Sequence, residues 1–539
     1  MCGIFACLYA SESLDTLQSG CNLIRHRGPD HSSFGIVPNT PHVFGFHRLA
    51  INDLTEKGNQ PLVHPEFPHI KVICNGEIYN HKLLNQMYNF KPSSHSDCEV
   101  ILHLYQRFGL ERTVRELDGY YAFIIFDGMN VYAARDDIGV RSLYMGYHED
   151  SVYLASELKA IQSFCSTIFP FPNGNIWSLT EKGCGVFKNM RESQLMIRDS
   201  YHQAKETMRV LLEAAVDKRV ENTERPIGCL LSGGLDSSLI CALVTKKYGK
   251  PIHTFSIGLK GSIDLIFARI VANHVKSIHH EVVVTEEEML TAIPHVIRQF
   301  ETYDTTTIRA GTPMWLLCKY ISEKTDIKVI YSGEGADELS GSYLYFKHAP
   351  TDKAFYDETH RLMNDLQYFD VLRCDKATAA HGLEVRVPFL DKEFMNYYLY
   401  LPPVYKMYNY YECEKFLLRD AFRGLLPDSV LWRTKEAFSD GVSTETKSWY
   451  EIIQDHVATI TIPDLEKEYS FNKPHSDETK WYRYLFESYY HDCADVLPYY
   501  WLPKWVGNIT NPSARVIPSY DKSELQKFKK IIKNKLSLV

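Results

Sequence analysis

The sequence has 539 residues, of which 45% are hydrophobic and 23% charged, and its formal net charge is −8. This length exceeds one hydrophobic core and predicts several domains. The negative charge argues against nucleic-acid binding, and no apolar run approaches the roughly 20 residues of a membrane helix. Thirteen cysteines without a C-x-x-C pair and a start unlike a signal peptide predict a cytoplasmic protein.

Short strand-like runs dominate the first 190 residues. The clearest are residues 43–46, 71–74, 121–126 and 152–155. One helix is predicted over residues 97–108, where the apolar side chains share a face. Many strands and few helices indicate stacked sheets flanked by helices.

Cys2 is the first candidate catalytic residue. Removal of Met1, which a small second residue normally allows, would make Cys2 the N-terminus. Its own α-amino group, with a pKa of about 8, would then act as the base for its thiol. A cysteine at position 2 usually has no function when it stands alone, so the motifs that follow it decide its interpretation.

Four motifs follow Cys2 in order: RHRGPD (25–30), HRLA (47–50), NGEIYN (75–80) and SDCE (96–99). Together they resemble the N-terminal-nucleophile glutaminase domain of the class II glutamine amidotransferases. The resemblance implies that Cys2 attacks the glutamine amide. It also implies an oxyanion hole made by the Asn75 side chain and the Gly76 N–H.

For the rest of the glutamine, the same resemblance implies that Arg48 binds the α-carboxylate, and that Asp97 and the region of Glu77 bind the ammonium. A zwitterionic substrate requires such opposite charges. A surface ion pair at Arg48, a turn at Asn75 and a helix N-cap at Asp97 are the alternatives. Each alternative explains one residue, and none explains the set.

From about residue 200 the pattern changes to alternating helices and strands. We place the boundary within residues 181–202, which gives domains over 1–190 and 200–539. Repeated βα units predict a parallel sheet covered on both faces, with ligands at the carboxyl ends of its strands. The predicted elements are a helix over 201–220, strands over 227–231, 252–257, 280–284 and 327–331, a helix over 264–275, and further helices up to about residue 324.

A glycine pair follows the first of these strands, in the run Ser232-Gly233-Gly234-Leu235-Asp236-Ser237-Ser238. Glycines and free N–H groups at a helix start favour phosphate binding, and the hydroxyls add donors. Asp236 would repel phosphate and therefore indicates a bridging Mg²⁺. The loop resembles the S-G-G-x-D-S loop of the ATP pyrophosphatases, whose leaving group is pyrophosphate. A Gly-Ser turn without a ligand is the less favoured alternative.

A second acidic loop, residues 332–338, ends a neighbouring strand and would face the first across one nucleotide. With residues 301–304, 343–346, 382–391, 432–441 and 500–505, nearly the whole chain resembles the asparagine synthetase family. The resemblance implies that adenine and ribose are bound by Leu230, Ile257, Ser332 and Gly333. It also implies that Asp236 and Asp337 bind Mg²⁺. Glu334 would be needed for adenylation and for the attack of ammonia, and Lys435 would neutralise phosphate charge.

We therefore expect an ATP-dependent enzyme that amidates aspartate with ammonia from glutamine and releases AMP and pyrophosphate. Ammonia formed at Cys2 would have to cross between the domains. The alternatives are a relative of the same architecture that amidates or cyclises another acid, and a non-catalytic binding descendant. The second is disfavoured, because a binding module needs no nucleophile.

Several points stay open from the sequence. The carboxylate of the acid substrate has three candidate partners, Arg309, Arg373 and Arg386. The chain departs from the family at Ala336, Ser342 and Ile263, where Ser, Gly and Pro are usual. Lysines interleaved with apolar residues over 522–535 predict a basic amphipathic helix, docked or frayed in preference to membrane-bound. A homodimer is neither indicated nor excluded.

Overall fold

The computed structural model describes residues 1–180, 183–191, 194–444, 447–463 and 469–520. The basic helix predicted over 522–535 lies outside the described residues. In the described part of the chain, each helix is too short or too polar to cross a lipid bilayer.

The N-terminal part consists mainly of antiparallel strands. In chain order they are β1 (Gly3–Leu8), β2 (His31–Ile36), β3 (Val43–Arg48), β4 (Leu62–Val63), β5 (Lys71–Ile78), β6 (Gly119–Phe126), β7 (Val131–Arg135), β8 (Tyr144–His148), β9 (Ser151–Ala155), β10 (Thr167–Pro170), β11 (Asn175–Thr180) and β12 (Gly183–Asn189). Within the described residues they form two sheets, ordered β10-β8-β9-β1-β3-β2 and β12-β11-β7-β6-β5-β4. The four predicted strand segments lie in β3, β5, β6 and β9.

The helices of this part are α1 (Leu14–Asn22), α2 (His81–Tyr88), α3 (Val100–Phe108) and α4 (Leu110–Glu116). The helix predicted over 97–108 is a 3₁₀ turn, Asp97–Glu99, that continues into α3. The helical stretch predicted over 97–108 is confirmed, and α1, α2 and α4 have no predicted counterpart. The others are short, and α1 buries only Leu17, Gly20 and Cys21, too few for a clear helical period.

The two sheets stack face to face, because side chains along a strand point alternately to opposite sides. Ile4 and Ala6 of β1 share the core between the sheets with Ile73 of β5. Phe5 points the other way and packs with Leu17 of α1. Helices α2, α3 and α4 pack on the outer face of the second sheet. This is the predicted arrangement of two sheets flanked by helices.

The C-terminal part alternates strands and helices before it becomes mainly helical. In order these are α5 (Tyr201–Glu221), β13 (Ile227–Leu230), α6 (Leu235–Tyr248), β14 (His253–Leu259), α7 (Ile263–Val275), β15 (Ile278–Val284), α8 (Glu286–Phe300), α9 (Thr305–Lys324), β16 (Val329–Tyr331), α10 (Ala336–Ser340), α11 (Asp352–Asp365), α12 (Asp370–Ala379), β17 (Glu384–Arg386), α13 (Lys392–Leu399), α14 (Tyr408–Tyr411), α15 (Phe416–Ala421), α16 (Asp428–Leu431), α17 (Phe438–Gly441), α18 (Trp449–Val457) and α19 (Asp477–Tyr489). Short 3₁₀ turns, besides the one before α3, lie at Arg25–Arg27, Glu56–Gly58, Leu158–Ala160, Leu344–His348, Leu366–Tyr368, Pro388–Leu390, Pro403–Tyr405, Ala494–Val496 and Ala514–Val516.

The strands of this part form a parallel sheet in the order β15-β14-β13-β16-β17. The strand order reverses between β13 and β16, and such a switch point opens a crevice outside the carboxyl ends of the strands. Cys229 pairs with Tyr331 there, so the two predicted loops begin side by side. The parallel sheet is confirmed, although β17 has no counterpart among the predicted strands.

Buried charges join the two parts. The Arg27 guanidinium lies 2.7 Å from a Glu157 oxygen and 2.9 Å from an oxygen of Asp375, which belongs to α12. Arg386 of β17 reaches Glu77 of β5 at 3.2 Å. Because a buried charge requires a partner, these pairs fix how the parts meet.

Candidate active sites

Cys2 precedes β1 and continues the row of side chains that faces the core between the two sheets. It is half-buried, its Sγ donates to the Leu49 carbonyl at 3.8 Å, and burial raises the pKa of the thiol. Burial also lowers the pKa of the adjacent Met1 α-amino group to about 6. A largely neutral amine beside a thiol can accept its proton.

Asn75 lies on β5 in the same inter-sheet row as Ile73. Its side chain is fully buried, and neither its nitrogen nor its oxygen has a hydrogen-bond partner in the part of the chain that the structure describes. A Cβ at the next residue, Gly76, would lie 2.6 Å from the Tyr120 carbonyl oxygen, so glycine is required there. A buried, unpartnered amide donor is what a developing oxyanion needs.

Arg48 ends β3, and a loop surrounds its guanidinium. Its terminal nitrogens donate to the Thr55 carbonyl at 2.7 Å, to the Asn59 side chain at 2.8 Å and to the Asp53 carbonyl. A side chain at Gly58 would collide with the guanidinium. Binding of a substrate carboxylate would therefore replace or share some of these backbone contacts.

Asp97 and Glu77 lie at the end of β5. Asp97 accepts the Ile78 N–H at 2.6 Å, and burial raises its pKa. Glu77 accepts from Asn222 at 2.9 Å and from Arg386 at 3.2 Å, and burial raises its pKa well above the usual range. Glu77 is thus held between the two parts of the chain, while Asp97 has no such ion pair with the C-terminal part among the described residues.

The two nucleotide loops lie in direct contact at the switch point. Within the first loop, the Ser232 and Ser237 hydroxyls are 3.0 Å apart. A Cβ at Gly333 would lie 2.7 Å from the Ser237 nitrogen, so glycine allows the second loop to pack on the start of α6. Gly233 has a φ of +73° and packs against α7, where a side chain would collide with backbone.

One cleft collects most residues of the predicted nucleotide site. Those that line it are Leu230, Ser232, Gly234, Asp236, Ser237, Ile257, Ser332, Gly333, Glu334, Asp337 and Lys435. Gly233 is not among the lining residues, and its carbonyl instead accepts from Arg433 at 3.1 Å.

The Asp236 and Asp337 carboxylates share a lysine ammonium group as their ion-pair partner. Lys415 Nζ lies 2.6 Å from one oxygen of each carboxylate, and Lys435 contacts the second oxygen of Asp337. Burial pushes the pKa of Asp337 upward, but the two lysines hold it far below the usual range. The Asp236 Oδ1 is buried without a hydrogen-bond partner among the described residues.

These oxygens fit a Mg²⁺ ion, which proteins usually hold by one or two carboxylates together with substrate phosphates. Nowhere in the described part do three or more His, Cys, Asp or Glu side chains form a metal cluster. A metal at Asp236 and Asp337 would therefore take its other ligands from nucleotide and water.

Glu334 lies beside these carboxylates. Arg373 donates to it at 2.6 Å and pairs with Asp370, also at 2.6 Å. Burial raises the pKa of Glu334, and Arg373 opposes that rise. A carboxylate with a raised pKa is a better proton acceptor.

Only Arg373 of the three candidate arginines lines this cleft. Arg309 is bound to both oxygens of Glu478, at 2.8 and 2.5 Å. Arg386 is fully buried at the contact between the two parts, where it binds Glu77 and Glu384. Because other side chains already bind Arg309 and Arg386 and neither lines the cleft, the geometry favours Arg373 among the three candidates.

The sequence assigned no role to Lys415 or Arg433. Arg433 is buried and bridges the Gly233 carbonyl to Asp264, at 3.1 and 3.0 Å. Because Arg433 lies in the WRTKE segment two residues before Lys435, that motif could have indicated a role for it at the nucleotide site. Lys415 has no such motif, and its spacing does not distinguish it from a surface lysine.

Two departures from the family lie at this site, and one changes a contact. The Ser342 hydroxyl donates to Asp337 at 2.6 Å, a hydrogen bond that glycine could not make. Ala336 is buried at the start of α10. Ile263 begins α7, where the Ser262 hydroxyl caps the helix.

Comparison with known proteins agrees with this geometry. A glutamine amidotransferase domain model matches residues 1–172, and an asparagine synthase model matches residues 207–354 and 347–486. Among solved structures, a glutamine phosphoribosylpyrophosphate amidotransferase from B. subtilis is 16% identical, with 52% of this chain and 80% of that chain covered and a TM-score of 0.32.

Fold, site and family models define a glutamine amidotransferase joined to a synthetase with a parallel sheet. Two curated relatives named asparagine synthetase [glutamine-hydrolyzing], from Cricetulus griseus and Gallus gallus, are each 42% identical. The alignments cover 96% and 98% of this chain and 99% and 100% of theirs. The chain belongs to the glutamine-hydrolysing asparagine synthetase family.

Proposed function

We propose that this chain converts aspartate to asparagine, with glutamine as the nitrogen donor and ATP cleaved to AMP and pyrophosphate. The observation that carries the proposal is the presence of two complementary sites in one chain. One offers a thiol and an unpartnered buried amide that face the same inter-sheet core, and the other offers converging carboxylates at a glycine-rich nucleotide loop.

At the first site, the Cys2 thiolate attacks the side-chain amide carbon of glutamine. Asn75 and the Gly76 N–H bind the oxyanion, and Arg48 and Asp97 hold the α-carboxylate and ammonium. Collapse of the intermediate expels ammonia and leaves a thioester, which water hydrolyses to glutamate. The α-amino group of Cys2, freed by removal of Met1, carries the proton from thiol to leaving group.

At the second site, a β-carboxylate oxygen of aspartate attacks the α-phosphorus of ATP and pyrophosphate departs. Ammonia then attacks the β-carbonyl carbon of the acyl-adenylate, AMP leaves, and Glu334 accepts the proton. Lys435 balances phosphate charge, and Arg373 is placed to orient Glu334 and the acid. Bound Mg²⁺ at Asp236 and Asp337 would supply charge neutralisation on the departing pyrophosphate.

The proposal extends to organisation and location. We place the glutaminase domain at 1–190 and the synthetase domain at 200–539. The described cysteines are all free thiols, which supports a cytoplasmic location. Sedimentation velocity decides between monomer and homodimer.

The test is an assay of the purified protein with ATP, glutamine and a panel of carboxylic acids. When aspartate is the acid supplied, we expect AMP, pyrophosphate and asparagine to form in equal amounts. ADP as the main nucleotide product contradicts the proposal. Faster AMP release with another acid would assign the chain to the alternative amidation or cyclisation.

A further inference from the structure

Lys415 lies between the two proposed metal ligands. Its Nζ is 2.6 Å from Asp236 Oδ2 and 2.6 Å from Asp337 Oδ1, and its side chain is about 1% exposed. Asp236 follows β13 and Asp337 follows β16. One ammonium group therefore joins the two loops on which the nucleotide site is built.

The backbone holds Lys415 in place in an unusual conformation. Its φ is +55°, in the left-handed region that residues other than glycine rarely adopt. The neighbouring Glu414 carboxylate accepts the Lys435 N–H at 2.9 Å and the Arg419 guanidinium at 2.6 Å. Surroundings that maintain a strained residue are typical of functional sites.

Lys435 does not bridge Asp236 and Asp337 as Lys415 does. It contacts Asp337 but stays 3.9 Å from Asp236. Among the described cations, Lys415 is therefore the one within 3 Å of both carboxylates.

We propose that Lys415 is a positioning residue that occupies the cation position between Asp236 and Asp337 until a metal–nucleotide complex enters. The ammonium and a divalent cation need the same converged oxygens, so they compete. Free metal then binds weakly, whereas metal carried by ATP binds well, because the phosphates offer the displaced ammonium a new anionic partner. The inference rests on the proposed metal site.

The test measures Mn²⁺ binding to the full chain by the electron paramagnetic resonance signal of free Mn²⁺, without nucleotide. Lys415→Met keeps the apolar stem and removes the charge, and we expect it to bind Mn²⁺ about tenfold more tightly than the unmodified protein. Lys415→Arg keeps the charge and should stay weak. Lys406→Met is the matched control, since Lys406 is a buried lysine whose ammonium donates to the Tyr398 and Leu399 carbonyls.

Unchanged or weaker Mn²⁺ binding by folded Lys415→Met overturns the inference. If that variant does not fold, the unmodified protein decides: tight Mn²⁺ binding without nucleotide overturns the inference, and binding that appears only with a non-hydrolysable ATP analogue supports it. AMP formation from aspartate tests the proposed function separately, so the two can fail independently.

Discussion

The two sites differ in how their polar groups are partnered within the protein. On β5, the Asn75 amide is buried between two sheets and unpartnered among the described residues. At the switch point, Asp236 and Asp337 are already bound by lysines from later segments of the chain. The Asn75 amide can therefore receive developing charge without breaking a hydrogen bond, whereas Asp236 and Asp337 must exchange ion pairs to hold a ligand.

The largest expected effect tests whether the two sites are chemically independent. Cys2→Ala removes the proposed nucleophile, so glutamine-dependent synthesis should fall by several orders of magnitude while ammonium salts still support synthesis. Cys7→Ala, in the same strand but turned toward α1, is the matched control and should keep both activities. Asparagine formed from each nitrogen source is the measurement. Near-normal use of glutamine by Cys2→Ala would remove Cys2 from the mechanism.

The reciprocal change is Glu334→Gln. It removes the proposed proton acceptor at the nucleotide site, so asparagine formation should drop about 10²- to 10⁴-fold. Glutamate release from glutamine should continue, because Glu334 belongs to the other sheet. Both products are measured in one reaction. An equal loss of the two activities in a folded variant would show that glutamine hydrolysis also depends on Glu334.

Asn75→Ala tests the unpartnered amide directly. Loss of one oxyanion donor should lower kcat for glutamine hydrolysis about 10²- to 10³-fold. The KM for glutamine should change little, since the donor acts mainly in the transition state. A large rise in KM with unchanged kcat would instead make Asn75 a binding residue.

The smallest effect concerns pH at the nucleotide loop. Burial raises the pKa of Asp264 to about 6, so below that pH the side chain loses its charge and weakens its bond to Arg433. Arg433 also holds the Gly233 carbonyl, so the KM for ATP should rise severalfold as the pH falls through about 6. Asp264→Asn should lack this step. A step that persists in Asp264→Asn assigns it to another group.

Sequence patterns predicted the parts of the sites that follow from local rules. The loop at Ser232 follows from a strand, two glycines and a helix, whereas Cys2 and Asn75 were identified by motifs that resemble those of the class II glutamine amidotransferases. These features require only neighbours in sequence.

The remaining features depend on which distant segments meet. Lys415 acquires its contacts because a later turn folds back over two strand ends, and nothing in its own neighbourhood encodes that. Arg386 looked like a substrate-binding arginine because it stands in a family motif. Its actual partners, Glu77 and Glu384, could not be inferred without the packing of β17 against the N-terminal part.

Arg386 on strand β17 contacts both the loop after β16 and the end of β5. The Arg386 carbonyl accepts the Ser332 N–H at 2.9 Å, and the guanidinium of the same residue reaches Glu77 at 3.2 Å. One residue thus spans from the loop at Ser332 to the end of β5, two residues from Asn75. The backbone of Arg386 and its side chain are tied to different parts of the chain, so a substitution that displaces this residue would disturb both contacts at once.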